Sequence, residues 1–176
     1  VATDSEITEM KKLLAVALEA GACGFATSTF EGHNGLGGKP MPSRLASESE
    51  IMELTKVLGE QGTGSFMLTK GSKTEMQFLE SLARESGRQV IVAALLVDNL
   101  NPDRIFRELD AIKSASERGN QMLGQVSCSP MIMDFTLDSA YPMEILDTWQ
   151  KVIPAYTDPK RLQEVYADPS FRAGVR

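Results

Sequence analysis

The stretch SESEIMELTKVLGEQGTGSFMLT, residues 47–69, decides the fold class. Ser47 followed by Glu50 has the capping-box spacing, in which a hydroxyl and a carboxylate satisfy free amides at a helix start. Ile51, Leu54, Thr55 and Leu58 then recur at the three-and-four spacing that lines one helical face, and glycines at 59 and 62 close the helix. Ser65–Thr69 follows as a short apolar run that suits a buried strand. A helix feeding a strand through a few residues is the unit from which parallel α/β sheets are built.

The unit repeats in both directions. Upstream, Thr3 and Glu6 cap a helix whose inner face is Met10, Leu13, Leu14, Ala17 and Leu18, with Gly21 as its stop and a strand at 22–27. Downstream, Ser72 and Glu75 cap a third helix with Met76, Leu79, Leu82 and Ala83 inward, stopped by Gly87 before a β-branched strand at 89–97. Asn101-Pro102 starts a fourth helix with Ile105, Phe106, Leu109 and Ile112 inward; Gly119 ends it, and a strand at 121–126 completes the run. The strands read as buried on both faces, joined by right-handed crossovers.

Residues 1–129 are therefore read as a βα portion, and residues 130–176 as a helical, Pro-punctuated tail of the same domain, with short helices at 143–152 and 159–166 and a last turn after Pro169. The expected fold class is α/β. Spacing alone leaves open a doubly wound sheet and part of a (βα)8 barrel, which share this unit. Four strands would be half of such a barrel, and an open half leaves two sheet edges and an apolar interior to be covered by self-association or by the missing remainder of the barrel.

Composition narrows the function classes. The chain has 176 residues, 42% of them hydrophobic and 24% charged, enough for one domain with a real core. A net charge of -6 repels phosphate backbones and anionic lipid surfaces, so no nucleic-acid or membrane partner is expected. The longest apolar run, residues 90–97, is strand-sized and far short of a membrane span. Two cysteines, Cys23 and Cys128, are too few and too far apart for a disulfide framework; they read as small core residues of a cytoplasmic protein. The opening Val-Ala-Thr-Asp lacks an initiator Met and reads as the start of a piece of a longer chain.

In parallel α/β folds, ligands gather at the C-terminal ends of the strands. The segments there are 27–33 after the first strand, Pro42-Ser43-Arg44 later in its loop, Thr69-Lys70, Asp98-Asn99 and residues 127–130. The Gly-rich loop 32–38 leads through Pro40 and Pro42 into a capped helix and is no dinucleotide fingerprint. His33 is the single histidine, so no histidine-rich metal site can be built within the chain; it is a substrate-binding candidate or a surface histidine. Arg44 is either a bidentate carboxylate clamp or a brace for the loop. Asp98 and Asn99 either bind or cap the next helix.

These residues resemble a family. Residues 2–7 with Met10-Lys-Lys-Leu-Leu14, then Ala20-Gly-Ala-Cys-Gly-Phe-Ala-Thr-Ser28, Gly38-Lys-Pro-Met-Pro-Ser-Arg-Leu-Ala46 and residues 50–54, look like the middle of the N-acyl-D-amino-acid deacylases of the amidohydrolase superfamily. Residues 87–91, Gln125-Val-Ser-Cys128 and Ala167-Asp-Pro-Ser-Phe-Arg172 carry the likeness along nearly the whole chain. The resemblance implies a zinc-dependent (βα)8 barrel that hydrolyses the amide of a small N-acylated amino acid, a metal-bound water attacking the carbonyl and an aspartate moving the proton. It also implies a first histidine pair and an aspartate on strands outside these residues, and histidines at the ends of the second and third strands. Here those ends read Ser65-Phe-Met-Leu-Thr-Lys70 and residues 90–96, without a histidine.

The expectation is therefore the central part of an amidohydrolase-type enzyme, inactive by itself, with zinc in the parent enzyme and none in this part. His33 and Arg44 lead as substrate-binding residues, with Ser43, Lys70 and Gln125 behind them; Lys70 could also be carbamylated to bridge metals. The alternatives are a non-catalytic α/β binding or assembly module that keeps the fold without the chemistry, and an unrelated open-sheet domain.

Overall fold

In a computed structural model that describes residues 1–97, 101–130 and 132–175, the chain forms two compact units. The first comprises Val1–Phe30 and Pro42–Pro130, the second Glu31–Met41 and Met131–Arg176. The tail beyond residue 130 thus groups with a segment that follows the first strand.

The first unit alternates helix and strand: α1 (Asp4–Glu19), β1 (Gly24–Ser28), α2 (Glu48–Glu60), β2 (Ser65–Thr69), α3 (Met76–Ser86), β3 (Val90–Ala93), α4 (Arg104–Glu117) and β4 (Met122–Gly124). All four strands are parallel and lie in the sheet in chain order, β1-β2-β3-β4. Their register puts Phe66, Val90 and Met122 side by side, then Leu68 and Val92. These five residues form one core with Leu18 of α1, Val57 and Leu58 of α2, Leu79 and Leu82 of α3, and Ile112 and Ala115 of α4. Four helices therefore cover one face of the sheet. A right-handed crossover that always advances to the next strand in the same direction puts every helix on the same side.

The opposite face carries Ala26, Met67, Ile91 and Leu123 across the four strands. Ala26 is exposed, Met67 and Ile91 are half-buried, and Leu123 is 49% exposed. Burial on both faces, expected from the apolar runs, is thus corrected to burial on one.

Local signals hold where they are short-range. Thr3 and Glu6 close the full capping box of α1, and the Ser47 hydroxyl accepts the Glu50 amide at 3.1 Å. β2 has the bounds read from sequence, and the inner faces of α2 and α3 are those expected. The ends of the sheet differ. Leu13 of α1 is 63% exposed, and on α4 Phe106 is 64% and Leu109 41% exposed, whereas Glu108 is buried. α3 begins at Met76 with Glu75 at its N-cap and no side-chain hydrogen bond from that cap, in place of the cap at Ser72 expected from the spacing. Gly59 lies inside α2 rather than at its end; a Cβ there would collide with the Ser86 carbonyl of α3. Cys23 and Cys128 are exposed free thiols, not core residues.

The second unit holds short 3-10 turns from Leu137–Ser139 to Ile153–Ala155, then α5 (Pro159–Ala167) and α6 (Pro169–Val175). Its core is Ala140, Trp149, Val152, Ala155, Leu162 and Phe171. Trp149 and Phe171 rings meet at 5.4 Å between centroids, a tilted aromatic pair. Among the described residues no helix is long and apolar enough to cross a membrane.

Candidate functional site

The C-terminal ends of the strands stay hydrogen-bonded beyond the strands themselves. Thr29 donates its amide to Thr69 at 3.0 Å, Lys70 to Ala93 at 3.1 Å, and Leu95 to Gln125 at 2.8 Å. The first two exits are stapled by hydroxyls. Thr29 Oγ1 accepts the Gly71 amide at 3.0 Å and lies 2.7 Å from the Thr74 hydroxyl, and Ser28 Oγ accepts the Phe30 amide at 3.2 Å. Ser28 and Thr74 are both buried, so these bonds satisfy groups that water does not reach. Thr74 escaped the sequence reading because its partner lies on another strand exit.

Lys70 continues β2 with the parity of Phe66 and Leu68, which turns its side chain toward the helices. Its Nζ stands 3.1 Å from Glu108 Oε1 on α4, with side-chain exposures of 16% and 11%. Arg104 Nε approaches the same oxygen at 3.9 Å. The lysine is thus tied into the layer between sheet and helix. A carbamate bridging metals over the other face has no support in this geometry, and that expectation is dropped.

The remaining candidates fall in different places. Ser43 and Arg44 share the 3-10 turn Pro42–Leu45, which packs beside β1 in the first unit. Arg44 is half-buried and engaged with a neighbour; Ser43 Oγ is buried and has no hydrogen-bond partner among the described residues. Gln125 is exposed past β4 and shares the parity of Leu123, on the sheet face opposite the helices. With β3 between them and opposite facing, the Lys70 and Gln125 side chains do not converge. His33 is half-buried and belongs to the second unit. Asp98 and Asn99 lie outside the described residues.

The donor set at the strand ends does not suit zinc. Among the described residues no three His, Cys, Asp or Glu side chains are grouped to hold a metal. At the ends of β2 and β3 the chain offers Thr69, the ion-paired Lys70, and Ala93. Zinc takes thiolate, imidazole or carboxylate donors, and these residues do not fit it. A shallow cleft of about 270 Å³ opens at the other end of the sheet, lined by Gln89, Ser116, Asn120, Gln121 and their neighbours. It holds amides and a hydroxyl but no titratable group. Beside β1, the Pro42–Leu45 turn carries a guanidinium and a hydroxyl, group types that pair with a carboxylate or a carbonyl.

Comparison with protein-family models, with curated proteins and with solved structures gives no match to this chain.

Proposed function

We propose that these residues are four consecutive strands with their helices from the centre of an amidohydrolase-type (βα)8 barrel that hydrolyses carbon–nitrogen bonds of the non-peptide amide kind, with small N-acylated amino acids as the substrate class. The observation that carries the reading is the winding. Strands in chain order with every helix on one face are how a barrel is wound, whereas a doubly wound sheet reverses its order and takes helices on both faces. The residues that resemble the deacylases include β1 and the Pro42–Leu45 turn beside it. In this reading Arg44 clamps the substrate carboxylate, with Ser43 buried in the same turn; Lys70 supports the strand ends through Glu108. The metal centre of the parent enzyme is carried by other strands. Two exposed free thiols suit a reducing, cytoplasmic setting.

The 176 residues alone are expected to bind close to no zinc, by elemental mass spectrometry after chelator-free preparation, and to release no amino acid from N-acyl-D-amino acids. The polypeptide extended by its flanking coding sequence is expected to bind zinc and to release the amino acid. In it, Arg44→Ala raises KM far more than it lowers kcat. Flanking sequence without a His-x-His strand and a late aspartate, or turnover by the 176 residues alone, overturns the reading. So does an unchanged KM in Arg44→Ala.

A second reading, a binding or assembly module that keeps the fold without the chemistry, draws on Lys70 being held by Glu108 and on β2 and β3 ending without a metal donor. It expects the flanking sequence to lack the histidine pair as well.

A further inference from the structure

The second unit contains a buried polar cluster of its own. Glu144 is 7% exposed, and a carboxylate this deep is costly unless its hydrogen bonds are made. Asn34 Nδ2 donates to its Oε2 at 3.0 Å, and Gln150 Nε2 donates to its backbone carbonyl at 3.0 Å. The Tyr156 hydroxyl lies beside the carboxylate and accepts Trp149 Nε1–H at 3.0 Å.

Asn34 adjoins His33, and the segment holding both is a tight hairpin. Met41 donates its amide to the His33 carbonyl at 3.3 Å, Gly35 to Lys39 at 2.7 Å, and Asn34 pairs antiparallel with Pro40 between them. At its tip Gly38 has φ +71°, and a Cβ there would stand 2.7 Å from Ile153 Cγ2, so the tip lies flush against the Ile153–Ala155 turn. A hairpin this short is marginal in water unless something holds it. The contacts at Asn34 and Gly38 grip its two ends.

We infer that Glu144 is a positioning residue, a clasp that fixes the hairpin through Asn34 and so sets the place of His33, the single histidine of the chain. The inference goes beyond the hydrolase reading and stands apart from it: whatever the hairpin meets, the backbone that carries its histidine is held in place while the clasp is closed.

The test uses the 176-residue chain with Glu144→Gln, Glu144→Ala, Asn34→Ala and Tyr166→Phe. Gln keeps an oxygen to accept Asn34 Nδ2–H; Ala does not. One histidine makes the His33 imidazole NMR signal unambiguous, and the Gly35 and Met41 amides report the hairpin by hydrogen exchange. In Glu144→Ala and Asn34→Ala both amides should exchange about tenfold faster, as loss of a hydrogen bond to a charged group implies, and the His33 signal should shift and broaden. Glu144→Gln should stay near wild type. Tyr166→Phe, which removes the Tyr166 bond to Leu137 in the same unit, should leave His33 alone. If Glu144→Ala unfolds the unit, seen as loss of native Trp149 fluorescence, Asn34→Ala decides. Unchanged exchange and an unmoved His33 signal in folded Asn34→Ala overturn the inference. A Gln variant as perturbed as Ala, or a Tyr166→Phe variant that moves His33 equally, overturns it too.

Discussion

Lys70 and Glu108 meet at 3.1 Å between the end of β2 and the first turns of α4, both side chains nearly out of solvent. The pair joins two elements that are not neighbours in sequence, at the level where the strands give way to their loops. A charged pair in such a place is sensitive to asymmetry: two partners satisfy each other, but one left behind is a charge without compensation.

Glu108→Gln should therefore destabilise the first unit by about 2–4 kcal/mol in urea titrations, because it strands the Lys70 ammonium. Lys70→Met should cost less, since Arg104 at 3.9 Å stays beside Glu108. The double variant Lys70→Met with Glu108→Leu should recover most of the loss, as apolar replacements of buried pairs do. A double variant no more stable than Glu108→Gln would show that the pair acts through something other than mutual compensation.

α3 and α4 are tied by Glu80, whose two carboxylate oxygens each accept Arg118 at 2.7 Å while Asn120 donates at 2.8 Å. The Arg118 hydrogen bonds hold the Glu80 carboxyl below its ordinary value of 4.5, with Asn120 adding to the effect against a partial desolvation. The folded-state value lies below the unfolded one. The stabilisation is thus fully present above pH 4.5 and is lost as pH falls through the lowered value. Stability measured between pH 6 and pH 3 should fall less steeply in Glu80→Gln than in the wild type. Parallel acid limbs would rule Glu80 out as a contributor.

Gly59 and Gly62 should fail for different reasons. Alanine at 59, though a better helix former, puts its Cβ onto the Ser86 carbonyl and should cost about 1–3 kcal/mol by forcing α2 and α3 apart. Alanine at 62 meets nothing within 4 Å but inherits φ +65°, which should cost about 1–2 kcal/mol. Ser86→Gly should rescue neither variant, because the obstruction at 59 is backbone and there is none at 62. A crystal structure of Gly59→Ala with α3 displaced and of Gly62→Ala with the helices unmoved would distinguish them, and no displacement in the first would remove the clash argument.

What the sequence shows clearly is whatever a few consecutive residues determine. β2 is delimited by Gly64 and Lys70, and the faces of α2 and α3 are regular because helices flank them on both sides. α1 and α4 lie at the ends of the layer, so some of their apolar residues point outward, and periodicity alone cannot tell Leu13 or Phe106 from a core residue. Glu108, Thr74 and Glu144 are buried because of partners far away in the chain, Lys70, Thr29 and Asn34, which no local pattern pairs. The loop 31–41 has no period because its order comes from backbone pairing around glycines. Of the candidate site, the neighbouring Ser43 and Arg44 are legible as parts of one loop, whereas the facing of Lys70 depends on which side of the sheet the helices occupy.

That one-sided layer leaves β1 and β4 as edge strands and a face with Leu123 49% exposed, while Phe106 and Leu109 stand out from α4. Unpaired edges and exposed large apolar side chains favour association, since both backbone pairing and burial are gained at once. The isolated 176 residues should therefore scatter light with a mass above that of one chain, rising with concentration. Leu123→Glu and Phe106→Glu should each lower that mass, as a carboxylate buried in such a contact would lack a partner. If the wild-type chain instead remains monomeric at every concentration, the apolar face is tolerated in water. The need for further strands or a second copy to cover it, on which the half-barrel reading depends, then falls away.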